Sequence, residues 1–279
     1  MVTIHFKQGQ DLDNIYHDLS RWFISGMKID KKKRQIVIHI PGDRKDEGMS
    51  RIKDVLKRYV LEKKRLEWWR TILAENFYYR DPHEQNEIMQ IALSIIQGQK
   101  KDLPVQIDEQ KDLEKIDQEL WDVLKHNSSF SFDAFITFRL RFYLEKMNRL
   151  IEIAIDEYKL EQDYQMYLQY LRDYLQKRKP LMKQLWVVDD GHFLFFDDKR
   201  RKLGKEELEI MMDRNLLFSH PIYVDSHTIA PLLSIAPERI HLYTDHPDAA
   251  IVKTLINIFE EKISVHPRKD FYRLQNHCK

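Results

Sequence analysis

SFDAFITFRLRFYLEKMNRLIEIAIDEYKLEQDYQMYLQYLRDYLQKRK, residues 131–179, contains neither glycine nor proline. Glycine costs a helix interior about 1 kcal/mol and proline about 3, so so long a stretch without either reads as helix. Phe130 stands before Ser131 and Phe135 follows four positions after it, the spacing of a hydrophobic staple around an N-cap serine. The expectation is one very long helix, or two joined near 159–163, stopped by Pro180. The same signal continues upstream. Residues 50–79 also lack both breakers, and Ile52, Val55, Leu56, Tyr59, Val60, Trp69, Ile72 and Leu73 recur at helical spacing. A further helix opens at Asp81 as N-cap, with Pro82 in its first turn, and ends at Gly98. After a polar linker containing Pro104, a shorter helix runs through Leu113, Ile116, Leu120 and Val123 to a break at 127–129.

The two ends of the chain read differently. VTIHF (2–6) alternates, NIYHDLSRWF (14–23) places Ile15, Leu19, Trp22 and Phe23 on one helical face, and QIVIHI (35–40) is β-branched and closed by Pro41 and Gly42. At the other end LWVV and HFLFF flank Asp189, Asp190 and Gly191, an Asp-Gly hairpin whose two apolar faces both call for cover. KEELEIMMDR reads as helix and residues 237–266 as strand, helix, strand, with a crossover long enough for parallel pairing. The fold class expected is α+β and predominantly helical. Its parts are a strand-helix-strand unit over 1–46, a helical region over 47–180 and an α/β unit over 181–279.

Composition excludes several classes. The chain has 279 residues with 46 Lys plus Arg against 45 Asp plus Glu, a net of +1, so no whole-molecule field recruits nucleic acid or anionic membrane. A 43% hydrophobic content is too apolar for a disordered chain. The single cysteine, Cys278, supports neither an internal disulfide nor a thiolate metal cluster, and a reducing cytoplasm suits it. The N-terminus lacks the apolar run of a signal peptide, and no stretch is long and apolar enough to span a bilayer. There is no Gly-rich phosphate loop, Rossmann fingerprint or nucleophile elbow, so nucleotide hydrolysis and dehydrogenase chemistry are not expected.

Local charge is uneven. Residues 1–70 hold 17 basic and 10 acidic groups, whereas 71–130 hold 6 and 12. The basic helix 51–70 offers Lys57, Arg58, Lys63, Lys64 and Arg65 for phosphates and Trp68 for stacking on a base, which makes nucleic-acid binding the alternative function. Against it, the acidic segment with Asp108, Glu109, Asp112, Glu114, Asp117, Glu119 and Asp122 can pair with the same face. A metal-dependent or acid/base enzyme would centre on Asp225, His227, His241, Asp245 and His246, but their spacing matches no metal signature and Asp245 or His246 suits a helix cap. Asp189 with Asp190, and Asp197 with Asp198, are accounted for by turn chemistry. No catalytic residue, cofactor or metal ligand is therefore assigned.

Residues 135–175, with Phe138, Arg139 and Leu140, then Tyr143, Ala154, Asp156, Glu157 and Tyr164, resemble the YtxC-like family, sporulation-associated proteins of endospore-forming firmicutes. LLSIAPERIHLYT (232–244) and LINIFEEKISVH (255–266) extend the resemblance over the C-terminal part. It implies a setting in endospore formation and brings no catalytic residue or cofactor with it. The function expected is a cytoplasmic, non-enzymatic protein-interaction factor. Its docking candidates are Arg139, Arg141 and Tyr143, residue types favoured as interface anchors. In a folded helical region the arginines would pair with Asp156 or Glu157.

Overall fold

The computed structural model describes residues 1–21, 26–100, 109–213 and 228–276, and the chain divides into two compact units, Met1–Leu160 and Glu161–Lys279. Trp22, Phe23, Asp108, Asp225, His227 and Cys278 lie outside the described residues.

In the first unit, alternation in VTIH and QIVIH gives β1 (Val2–His5) and β3 (Gln35–His39), paired antiparallel. α1 (Gly9–Arg21) follows β1 and buries Leu12, Ile15 and Leu19. Two strands lie beyond those expected from alternation. β2 (Lys28–Lys32) forms a hairpin with β3, and β4 (Ser129–Ser131) pairs parallel with β1, giving the order β2-β3-β1-β4. Neither shows a hydrophobic alternation: β2 is mostly charged and β4 has three residues.

The helices of this unit are α2 (Lys45–Tyr59), a π-helical turn Val60–Lys64, α3 (Arg65–Glu75), α4 (Pro82–Ile96) and α5 (Glu109–His126). Asp81 caps α4 as expected, its carboxylate accepting from the His83 and Glu84 amides, and Gly98 follows the helix at φ +68. The Ser131 hydroxyl accepts from the Ala134 amide, and Phe130 meets Phe135 edge-on at 6.4 Å, so the staple is formed.

Beyond that cap the long helix differs from expectation. After the turn α6 (Phe132–Ala134) comes a π-helical turn Phe135–Arg139, and Leu140 leaves helical geometry at φ −96, ψ 17. α7 (Arg141–Lys177) then runs unbroken, so residues 159–163 are helix and not a junction. Nothing in 159–163 breaks a helix, whereas the π turn inserts one residue and sets Phe135, Ile136, Leu140 and Tyr143 together in the core. Tyr143, Met147, Leu150, Ile151, Ala154 and Ile155 of α7 bury into the first unit's core, and Leu168, Leu171 and Leu175 into that of the second.

The second unit holds the hairpin β5 (Gln184–Asp189) and β6 (Phe193–Phe196), turning through Gly191 at φ +78. α8 (Lys205–Met211) and α9 (Ile229–Ile235) lead to β7 (Arg239–Tyr243), α10 (Ala250–Phe259) and β8 (Ile263–His266), with β7 parallel to both β5 and β8. The sheet order is β6-β5-β7-β8. Cover exists on both faces, as the apolar hairpin requires. Leu185, Val187, Phe195, Ile240 and Leu242 face a core shared with Ile229, Leu232, Leu233, Val252 and Leu255, while Phe271 of α11 (Arg268–Asn276) packs with Val188, Phe196 and Tyr243 on the opposite face.

Candidate functional site

The basic segment of α2 and α3 is turned largely onto carboxylates. Lys57 Nζ lies 2.7 Å from Asp117 Oδ2 on α5, and Lys53 Nζ lies 3.3 Å from Asp117 Oδ1. Arg65 Nη1 is 3.3 Å from Glu109 Oε1, and its guanidinium stands over the buried Trp69 ring. Lys64 is buried, 2.8 Å from Asp11 Oδ1 and 2.8 Å from Glu67 Oε2, and also donates to Gln8. Tyr59 donates to the same Asp11 oxygen at 2.6 Å. Burial opposes the Lys64 charge, but the bonds to Asp11 and Glu67 outweigh it and hold its pKa above the usual lysine value. Burial, then the bond to Asp11, pushes the Tyr59 phenol up. Arg58 and Lys63 instead line an open cleft of about 560 Å³ with Arg21, Asp18 and Glu62. Trp68 is half-buried and meets Tyr143 edge-on at 6.3 Å. The six residues that would contact nucleic acid are therefore not gathered into one cationic face.

The docking candidates separate in a similar way. Tyr143 is buried, and burial raises its phenol pKa against the lowering effect of nearby Arg65. Arg139 and Arg141 are exposed and pair with Glu119 at 3.3 Å and Glu145 at 2.8 Å, not with Asp156 or Glu157. Glu157 bonds Lys100 instead. Arg139 at the end of the π turn and Arg141 at the start of α7 both point outward, while Leu140 between them goes fully inward. Phe138, in the same π turn, is 77% exposed, beside both arginines. In the sequence Phe138 enters only through the family resemblance and its exposure is not legible there, because the rotation that exposes it is a backbone event.

In the second unit, Arg268 at the start of α11 bridges Asp190 at 2.7 Å and Asp245 at 2.9 Å. Asp189 Oδ2 accepts from the Thr244 hydroxyl at 2.7 Å, and the Thr244 oxygen accepts from the His246 amide. Neither Asp245 nor His246 caps a helix: α10 starts later, after Ala249, whose side chain makes no cap bond. The turn through Pro247 and Asp248 displaces the helix start by several residues. Asp197 and Asp198 accept from the backbone amides of Lys199, Arg201 and Gln184. Among the described residues no three His, Cys, Asp or Glu side chains are placed to hold a metal ion.

His241 lies elsewhere, in a row on the α11 side of the sheet that the parallel strand register assembles. Trp186 pairs with His241 in register at 4.6 Å between ring centres, Tyr243 lies parallel to Trp186 at 5.9 Å, and His266 is 5.1 Å from Tyr243. Ser264 Oγ sits 3.2 Å from His241 Nδ1 and 3.1 Å from His266 Nε2. Burial first, then His266, Arg239 and Arg200, holds the His241 imidazole below its usual pKa. His241 therefore stands among the strand residues of this row and not with the loop residues Asp245 and His246.

The model of the YtxC-like family matches residues 50–264, spanning the basic segment, the exposed π turn and the parallel strands. The chain belongs to the YtxC-like family. A family relative, described as "Uncharacterized protein YtxC" from Bacillus subtilis (strain 168), is 36% identical over 217 residues, covering 78% of this chain and 76% of the relative. No solved structure matches the chain. The YtxC-like match leaves residues 1–49, with β1, α1, β2 and β3, outside it. No helix among the described residues is long and apolar enough to cross a membrane.

Proposed function

We propose that this YtxC-like chain is a cytoplasmic, non-enzymatic protein-interaction factor in endospore formation, docking its partner through Phe138 and Arg139 of the π turn and Arg141 at the start of α7. The observation that carries the reading is Phe138, 77% exposed on a π turn whose neighbours Ile136 and Leu140 are buried. Covering an exposed phenylalanine contributes roughly 1.5–3 kcal/mol, and paired guanidiniums beside it supply directional contacts to a partner. Tyr143 serves as support from within, packed against Trp68. The ion pairs that occupy Lys57, Lys64 and Arg65 weigh against the nucleic-acid alternative.

Phe138→Ala and Arg141→Glu test the reading in a sporulating host. Both variants are expected to keep the wild-type melting temperature, because neither side chain is in the core. Both should lower the yield of heat-resistant spores and lose a nuclease-resistant partner that the wild-type chain co-purifies. Normal spore yield with an unchanged set of co-purified proteins would overturn the docking assignment.

A further inference from the structure

We propose that the outer edge of β8 pairs antiparallel with the β8 of a second copy of this chain, joining two second-unit sheets into one. An open sheet edge presents unpaired amides and carbonyls, and folds ordinarily blunt it with charge, brevity or a covering segment. Three of the four sheet edges are blunted in these ways. β2 carries three lysines and an aspartate, β4 has three residues and runs straight into α6, and β6 is covered by the chain returning to it, where the Leu203 amide donates to the Phe195 carbonyl at 2.8 Å. β8 reads ISVH, without lysine, carboxylate or proline, and its four residues are only half-buried. β7 takes one side of it, and among the described residues no strand takes the other.

Strand geometry fixes which backbone groups point outward. The Thr244 amide donates to the His266 carbonyl, so His266 and, two residues earlier, Ser264 turn their backbone groups to β7. Ile263 and Val265 therefore direct N–H and C=O away from the sheet. A second β8 running antiparallel, with Ser264 opposite Ser264, sets Ile263 of each copy against Val265 of the other, and four backbone bonds then satisfy every one of those groups. Flanking charge selects this direction and this partner. Glu260 and Glu261 precede the strand, and Arg268 and Lys269 follow it; Lys262 and Asp270 leave one negative charge in excess at the first end and one positive at the second. Antiparallel copies bring each acidic end to the basic end of the other, whereas parallel copies set like against like. Glu260 already holds Arg172 at 3.1 Å, and Arg268 holds Asp190 and Asp245. Glu261 and Lys269 are exposed, and neither forms an ion pair among the described residues, so these two are the charges available across the edge.

Sedimentation equilibrium of the full chain, up to about 500 µM, tests the proposal. The expected result is a reversible monomer–dimer equilibrium with a dissociation constant of about 1–100 µM, as suits a small interface. Glu261→Lys and Lys269→Glu change exposed side chains, so both variants should fold. Each should weaken the dimer about tenfold, and the two together should restore it to within about threefold of wild type, because the ends are again complementary. In a Cys278→Ser background, Ser264→Cys should give a disulfide-linked dimer under mild oxidation, since a non-hydrogen-bonded antiparallel pair sets its Cα atoms about 4.5 Å apart, within disulfide reach. Lys205→Cys, exposed on α8, should not cross-link. A chain that stays monomeric throughout, a dimer that Ser264→Cys does not cross-link, or a dimer indifferent to both charge reversals overturns the proposal.

Discussion

Lys64 shows what a single buried charge requires. It sits in the π turn between α2 and α3 with Asp11, Glu67 and Gln8 around its ammonium and Tyr59 sharing Asp11. Taking an ion out of water costs several kcal/mol, and removing one partner leaves that cost uncompensated. Asp11→Ala is therefore expected to destabilise the chain by about 3–5 kcal/mol in urea unfolding, whereas Lys63→Ala, next in sequence and exposed, should cost under about 1 kcal/mol. In the double variant Asp11→Ala with Lys64→Met, much of the loss should return, because no unpaired charge remains. A double variant as unstable as Asp11→Ala alone would show that packing, and not charge, explains the site. In sequence, Lys64 looks like any member of a basic run. Its role depends on Asp11, far away in the chain, and on the extra residue that the π turn inserts.

At the scale of elements, α2 and α5 explain how uneven charge along the chain becomes balanced in space. The Asp117 carboxylate takes both Lys53 and Lys57 of α2, and Glu109 takes Arg65 of α3, so opposite excesses meet along α5. Nucleic-acid affinity driven by phosphates falls steeply with salt as counterions are released. Titrations of labelled single- and double-stranded DNA and RNA at two salt concentrations are expected to show only weak, non-specific association. Sub-micromolar binding that vanishes when Lys57, Arg58, Lys63 and Lys64 are changed to glutamate would reverse that conclusion. Several element boundaries were readable from local chemistry, though the cap expected at Asp245 or His246 did not form. The Asp81 cap, the Phe130 and Phe135 staple and the Gly191 turn all act over a few residues and formed as their sequences imply. The strands β2 and β4 were not readable, since pairing with β3 and β1 holds them and their own side chains carry no period.

Across the whole molecule, α7 contributes to two hydrophobic cores that share no residue. Ile151 and Ala154 belong to the first, Leu168 and Leu171 to the second. Each unit should therefore respond to its own core. Ile151→Val and Leu171→Ala are expected to speed amide hydrogen exchange mainly within 1–160 and 161–279 respectively, with Leu171→Ala costing about 2–5 kcal/mol and Ile151→Val about 0.5–1.5. Equal acceleration throughout both units by either change would show a single cooperative core. What the sequence determined by itself was the helical bias, the hairpin, the βαβ crossover and the Asp81 and Ser131 caps, because backbone entropy, φ preference and period are properties of neighbouring residues. Only the tertiary structure decided which face each helix turns inward. The π turn exposes Phe138 and buries Leu140, the strand register assembles Trp186, His241 and His266, and Lys64 finds Asp11 through contacts distant in sequence, where desolvation and charge pairing outweigh local preference.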